Sequence, residues 1–196
     1  PQTSRLQDKV AIVTGSSSGL VRAIAIRYAK EGAKVVCADL TPTARSQEES
    51  NITTHDLIVR DGGQAKFVKT DVGDAKQMEN LVQVAVKEYG RVDMYEMIMK
   101  VFDYPSDDLF SLVNNAGISI EARTPAVLHL TDETTWDMTM RVNTKSVFLG
   151  CKYALSQMLA QEPHSSGDRG WIINISSIMG MIGGPENREF QLGLWI

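Results

Sequence analysis

Apolar and polar positions along the chain predict strands and helices that follow one another in turn. Residues 9–14 form an apolar run of strand length, and the glycines and serines of residues 15–19 interrupt it. A helical pattern follows, and a second apolar run at residues 34–38 ends on Asp39. This order predicts a βαβ unit with its turn residues in the expected places.

The middle of the chain continues the same pattern. Residues 41–60 are polar with few apolar positions, which predicts an amphipathic helix. Residues 65–69 alternate between apolar and polar and predict a third strand. Residues 74–89 have the i, i+3, i+4 spacing of a helix that covers a sheet, and Gly90 closes it.

The last third of the chain predicts one long helix and one more strand. The helix starts near Leu130, with Thr131 or Asp132 as its N-cap. Residues 170–175 form the apolar run of a fifth strand. The predicted apolar side of the long helix consists of Trp136, Met140, Val147, Phe148, Cys151, Ala154 and Leu155.

Length and charge fit a single domain over residues 1–196. The chain is 43% hydrophobic and 22% charged, with a formal net charge of −4. This composition is that of an ordinary globular domain, and the acidic balance argues against nucleic acid or an anionic membrane as partner. No apolar run reaches membrane-spanning length and the N-terminus lacks a secretory leader pattern, so we expect a cytoplasmic protein.

The cysteines and histidines indicate no metal site. Cys37 falls in the second strand and Cys151 in the late helix, without CxxC spacing, so we expect two reduced core thiols. The spacing of the three histidines, His55, His129 and His164, is not that of metal ligands.

The turn after the first strand has the composition of an anion site. Gly15 and Gly19 let a ligand approach the backbone closely, and the free N–H groups and the dipole at the start of the helix favour a phosphate. Asp39 ends the next strand, where its carboxylate can accept hydrogen bonds from a ribose diol. Leu40 and Thr41 supply no positive charge for a 2′-phosphate, so the sequence indicates NAD rather than NADP. The alternative is a tight strand-to-helix turn of any α/β protein.

Residues 14–20 resemble the cofactor loop of the short-chain dehydrogenase/reductase family, whose pattern is TGxxxGxG. The last glycine of that pattern is Val21 here, and its β-branched side chain is expected to push the helix from the first strand or to shift the turn. The cofactor-binding residues implied at this end are Gly15, Ser17, Ser18, Gly19, Leu20, Asp39 and Leu40.

The resemblance implies further cofactor contacts at two later strand ends. Asp71 and Val72 match the pair that lies beside the adenine ring in the family. The structural alternative for this stretch is an N-cap for the helix that begins near Asp74. Residues 114–117 match the family motif Asn-Asn-Ala-Gly, and the residues that line the nicotinamide-side ribose are then Asn115, Ala116 and Gly117.

The catalytic residues of the family are matched only in part. Ser177 aligns with the serine that hydrogen-bonds the substrate, and Asn143 with the helical asparagine whose backbone holds a water of the proton relay. The alternatives are a serine that satisfies a strand end and a surface asparagine. Phe190 and Leu194 occupy the places of the family's tyrosine and lysine, and neither can move a proton. We therefore expect no activity from this chain.

The fold implied by the resemblance is an α/β Rossmann-type, doubly wound parallel sheet. This chain is expected to supply about five strands in the order 3-2-1-4-5. It lacks the C-terminal strands and helices that family members usually have. Family members are homo-oligomers that transfer hydride between NAD or NADP and a secondary alcohol or ketone. The alternative function is that of a catalytically silent nucleotide-binding or interaction module, made as a splice variant.

Residues 94–110 interrupt the fourth predicted strand. In the family Arg-Val-Asp runs directly into Ile-Leu-Val-Asn-Asn-Ala-Gly, whereas residues 91–93 and 111–117 are separated here. An insertion is better tolerated in an exposed loop than inside a buried strand. We therefore interpret residues 94–110, and the divergent residues 188–196, as translated introns. Sequencing the gene and transcript tests this, and an uninterrupted exon without splice signals would contradict it.

Overall fold

Strands and helices alternate through the computed structural model, which describes residues 4–47, 49–98 and 128–175. A 3-10 turn precedes the fourth helix, and a π-helical turn joins the fourth helix to the fifth. In chain order the elements are β1 (Val10–Thr14), α1 (Gly19–Lys30), β2 (Lys34–Asp39), α2 (Thr54–Arg60), β3 (Gln64–Lys69), α3 (Ala75–Tyr89), β4 (Met94–Ile98), the 3-10 turn (Leu128–Leu130), α4 (Glu133–Met140), the π-turn (Arg141–Lys145), α5 (Ser146–Ala160) and β5 (Trp171–Ile175).

The five strands form one parallel sheet in the order β3-β2-β1-β4-β5. This confirms the predicted α/β class and strand order. All residues of β1 are buried, and β1 pairs with β2 on one side and β4 on the other. A strand that is covered on both faces needs a continuous apolar sequence, which is why Val10–Thr14 shows no alternation.

Two apolar clusters cover the two faces of the sheet. Ile12 of β1 packs in the cluster that includes α3 and α5, whereas Ala11 and Val13 pack in the cluster that includes α1 and α2. Val21 belongs to the second cluster and is 2% exposed. Ala25, one helical turn later, belongs to the same cluster. Val21 is therefore a core residue of α1.

The residues that form the fourth strand differ from the prediction. Met94–Ile98 lies between β1 and β5 and pairs in parallel with both. The first five residues of the expected insertion, residues 94–98, thus form the strand, and residues 111–117 lie outside the described ranges. The physical reason is continuity, because Asp93 is fixed at the start of the strand and the buried side chain of Tyr95 follows at once.

The predicted helix over residues 41–60 is confirmed only in its last part. α2 begins after Thr53, whose hydroxyl accepts a hydrogen bond from the N–H of Asp56 at 3.3 Å. Residues 41–47 and 49–53 form turns and bends instead. Serine and threonine side chains in this stretch bond to nearby backbone groups, which competes with helix formation.

The predicted long helix is confirmed as α4, the π-turn and α5 in direct succession, with Asp132 as the N-cap. Beyond the π-turn its predicted apolar side is confirmed at Ala154, which is buried, and at Val147, which packs against the core, and is wrong at Phe148 and Leu155. Phe148 is 63% exposed and Leu155 is 48% exposed, whereas Leu149 and Met158 are buried. Apolar residues are adjacent at 147–149 and at 154–155, so spacing alone does not decide which of them face the sheet.

A buried carboxylate joins the amino ends of three strands. Asp93 is fully buried, and its Oδ2 accepts a hydrogen bond from the N–H of Val10 at 2.9 Å. Its Oδ1 lies 2.6 Å from Arg91 Nε and 2.6 Å from Nε2 of His164, which lies in the loop before β5. Asp93 thus holds β1, β4 and the approach to β5 in one arrangement.

We expect Asp93→Asn to lower the free energy of unfolding by about 3 kcal/mol, because it leaves Arg91 beside a neutral amide at a buried site. Urea denaturation followed by circular dichroism measures this loss. Asp137→Asn, at an exposed position of α4, is the control and should change stability little. Equal stability of the Asp93 variant and the wild type would contradict the role assigned to Asp93.

The two cysteines should differ in reactivity. Burial raises the pKa of the Cys37 thiol to about 12, against smaller lowering effects of a hydrogen bond from Ser16 and the charge of Arg22. Cys151 is only partly buried. Because the thiolate is the reactive form, we expect Ellman's reagent to modify Cys151 at least about tenfold faster in the native protein at pH 8. Single serine variants assign the two rates, and faster reaction of Cys37 would contradict the prediction.

Candidate functional site

The turn between β1 and α1 depends on two glycines. Gly15 has φ +74° and Gly19 has φ +60°, in the left-handed region that favours glycine. The N–H of Gly15 donates to the carbonyl oxygen of Ala38 at 2.7 Å, which ties the turn to the end of β2. The backbone therefore leaves the sheet at its carboxyl edge and enters the helix within four residues.

The first turn of α1 has the features of an anion site. Ser18 is the N-cap residue, and its side chain makes no capping hydrogen bond to the helix. No acidic residue lies in the first turn itself. N–H groups that have no acceptor within the helix and the positive end of the helix dipole therefore meet at the carboxyl edge of the sheet, where an anion is stabilised. The N–H of Gly19 already donates to a carboxylate oxygen, Glu49 Oε2, at 3.0 Å.

Asp39 lies directly beside this turn. Its Oδ2 accepts a hydrogen bond from the N–H of Ser17 at 3.1 Å, and its Oδ1 accepts one from the N–H of Leu40 at 2.7 Å. A carboxylate offers about four lone pairs, so two remain for other donors. The structure thus fixes an acid at the end of β2 within reach of whatever the turn binds. The side chain of Leu40 is half exposed.

The end of β3 carries a second acidic group. Asp71 accepts hydrogen bonds from the N–H of Gly73 at 2.9 Å and from Arg141 Nη2 at 2.5 Å. Asp74, rather than Asp71, caps α3, and hydrogen bonds from the backbone of Gln77 are the largest cause that lowers its pKa. The N-cap of α3 expected in this stretch is therefore Asp74. Val72 packs against the cluster that includes residues of α3 and α5.

Arg141 connects the end of β3 to the π-turn. A Cβ at Gly73 would lie 2.8 Å from Cγ and Cζ of Arg141, so the side chain of Arg141 fits only because residue 73 is glycine. Its guanidinium pairs with Asp71 and also helps to lower the pKa of Asp74. The first residue of the π-turn is thereby bound to the end of β3.

Asn143 lies in the middle of the π-turn and is 1% exposed. The alternative of a surface asparagine is therefore wrong. Ser146 Oγ donates to the carbonyl oxygen of Val142 and so satisfies one backbone acceptor near this turn. Single π-turns inside α-helices occur frequently at functional sites. The structure gives this polar residue a special backbone setting that its local sequence did not indicate.

The predicted cofactor residues in the described ranges converge at one edge. Gly15, Asp39 and Asp71 all follow the carboxyl ends of neighbouring parallel strands. The chain leaves β1 toward β2 and later returns to β4 on the other side, so the strand order reverses beside the glycine turn. In open α/β sheets ligands bind at such a reversal. The remaining predicted site residues lie outside the described ranges, namely Asn115, Ala116, Gly117, Ser177, Phe190 and Leu194.

One supporting residue was not identified from the sequence. Arg22 is 6% exposed, and its guanidinium donates to Thr54 Oγ1 at 3.0 Å and to the carbonyl oxygen of Ile52 at 2.8 Å. Thr54 Oγ1 donates in turn to the carbonyl oxygen of Ser16 at 2.6 Å. Arg22 thus supports the glycine turn through α2. The sequence signal that could have indicated this role is a charged residue just after a glycine turn, on the side of the helix that faces the sheet.

Two other classes of site find no support in the part of the chain that the structure describes. Its His, Cys, Asp and Glu side chains form no group of three that could hold a metal ion. Among the described helices, none is both long enough and apolar enough to cross a membrane.

Similar proteins cover nearly all of this chain. An uncharacterized oxidoreductase of Thermotoga maritima is 36% identical over 186 residues, which are 95% of this chain and 60% of the relative. A 3-oxoacyl-(acyl-carrier-protein) reductase of the same organism is 30% identical over 190 residues, 95% of this chain and 62% of the relative. A 2,5-dichloro-2,5-cyclohexadiene-1,4-diol dehydrogenase of Sphingobium indicum is 33% identical over 187 residues, again 95% and 62%. The chain spans about three fifths of the length of these relatives.

Solved structures match the fold over similar shares of the two chains. A crystal structure from Burkholderia xenovorans, 30% identical, matches with a TM-score of 0.73 over 97% of this chain and 65% of that one. A short chain dehydrogenase from Mycobacterium smegmatis, 22% identical, has a TM-score of 0.76 over 97% and 67% and supports the fold alone. The family profile of short chain dehydrogenases matches residues 9–190. With this match and a parallel sheet in the order 3-2-1-4-5, the chain belongs to the short-chain dehydrogenase/reductase family.

Proposed function

We propose that this chain binds a nicotinamide dinucleotide at the carboxyl edge of its sheet. The pyrophosphate would lie at the start of α1, where Gly15 and Gly19 carry no side chain that would stand between the backbone and a ligand. The observation that carries this proposal is the position of Asp39, whose carboxylate is held against the N–H of Ser17 at 3.1 Å. An acid fixed beside an anion site suits a ligand that joins a phosphate to a ribose diol.

The charges around Asp39 favour NAD over NADP. A 2′-phosphate would be placed against the negative charge of Asp39, and the residues that follow, Leu40 and Thr41, are uncharged. The ribose diol of NAD can instead donate to the lone pairs that Asp39 keeps free. At the other strand ends, Asp71 and Val72 would lie beside adenine. Asn115, Ala116 and Gly117 would line the nicotinamide-side ribose, as the family pattern implies.

The activity of the family would require more than cofactor binding. A bound nicotinamide supplies hydride transfer with a secondary alcohol or ketone. In this chain Ser177 would orient the substrate, and the backbone of Asn143 would hold a water. Phe190 and Leu194 stand at the places of the proton-donating tyrosine and its lysine, and neither carries a group that can exchange a proton. We therefore propose an oxidoreductase by descent that acts as a catalytically silent dinucleotide-binding protein in the cytoplasm.

Asp39→Ala should weaken NADH binding by about tenfold, because the ribose loses its hydrogen bonds to a charged acceptor. Isothermal titration calorimetry with NADH and NADPH measures the affinities, and the wild type should prefer NADH. Asp137→Ala removes an exposed carboxylate of α4 and is the matched control. Equal affinity of the wild type and the Asp39 variant for NADH would contradict the assignment of Asp39 to the ribose.

We expect no turnover by this chain, because the positions of the tyrosine and lysine hold apolar side chains. The decrease of NADH absorbance is followed with a series of secondary ketones at saturating NADH. The expected rate equals that of the mixture without protein. Reduction of any ketone above that rate would show that another group supplies the proton.

A further inference from the structure

We propose that residues 41–47 and Glu49 block the phosphate site at the start of α1. The Glu49 carboxylate lies where the phosphate of a ligand would bind. This inference rests on the proposed dinucleotide binding and adds a competing state to it. In the structure the start of α1 is closed by the chain itself. A dinucleotide binds only when this segment has moved away.

Three hydrogen bonds attach the segment to successive residues of the glycine turn. Ser17 Oγ donates to the carbonyl oxygen of Thr41 at 2.5 Å. Ser18 Oγ accepts from the N–H of Arg45 at 2.8 Å. The N–H of Gly19 donates to Glu49 Oε2 at 3.0 Å. Each of these turn groups could contact a phosphate, and each is bound to the segment instead.

The Glu49 carboxylate is held in this position from its own side. Ser46 Oγ donates to Glu49 Oε2 at 3.3 Å, and the N–H of Glu49 donates back to Ser46 Oγ at 3.4 Å. The residue is partly buried. The carboxylate is therefore positioned at the helix start by two contacts, one with the turn and one within the segment.

A carboxylate and a phosphate cannot share this position. One N–H group gives one strong hydrogen bond, and two anions at the same end of the helix dipole repel each other. The carboxylate of Asp39 on Ser17 adds a further negative charge close by. If the ligand binds only the open state, its apparent affinity falls by the fraction of molecules that are open. Residues 41–47 and Glu49 lie outside the helices and strands, so their movement would break no pairing of the sheet.

The experiment compares Glu49→Gln and Glu49→Ala with Glu162→Gln, which removes the same charge from an exposed loop before β5. Calorimetry with NADH, and separately with inorganic pyrophosphate, gives the affinities. We expect both Glu49 variants to bind each ligand about threefold to tenfold more tightly than the wild type. The control should bind like the wild type. Amide exchange of Gly19 without ligand should be faster in Glu49→Ala, because its hydrogen-bond acceptor is removed.

The outcomes separate this inference from the function on which it rests. Equal NADH affinity in the wild type and both Glu49 variants would overturn the competition and leave dinucleotide binding intact. Tighter NADH binding with unchanged pyrophosphate binding would also overturn it, because the effect would then not act at the phosphate. Absence of NADH and NADPH binding in every protein, the control included, would overturn the proposed function and with it this inference.

Discussion

The structure depends on the complete burial of β1 between two parallel neighbours. Every residue of Val10–Thr14 is buried, and its backbone groups are paired with β2 and β4. A buried strand of this kind cannot shift its register without leaving polar groups unpaired. The position of Thr14 at the carboxyl edge is therefore fixed. The turn that follows presents its N–H groups at that edge because β1 ends there.

The parts of the fold that follow from local chemistry could be predicted from the sequence. The βαβ unit, the ends of the strands at Asp39 and Lys69, the start of α3 near Asp74 and the cap at Asp132 depend on residues close in the chain. The location of β4 could not be predicted in this way, because the motif at residues 111–117 outweighed the simple continuation of the strand after Asp93. The exposed positions Phe148 and Leu155 of α5 were missed because each stands next to another apolar residue, so spacing alone does not decide which one is buried.

The candidate site shows the same division between local and distant causes. Gly15, Gly19 and Asp39 could be identified from their spacing, because each role depends on one turn or one strand end. The contributions of Glu49 and Arg141 depend on side chains that reach 30 and 70 residues along the sequence. No periodicity or motif contains such information. Their roles follow only from the folded arrangement, in which segments of mixed polar sequence lie over the strand ends.

The cluster around Asp93 lies at the amino ends of the strands, whereas the glycine turn, Asp39 and Asp71 lie at the carboxyl ends. A strand of five residues separates the two sets by roughly 15 Å. Groups so far apart contribute to stability almost independently. The protein therefore keeps its structural anchor at one end of the sheet and the proposed recognition surface at the other, so we expect substitutions at the carboxyl ends to leave the anchor intact.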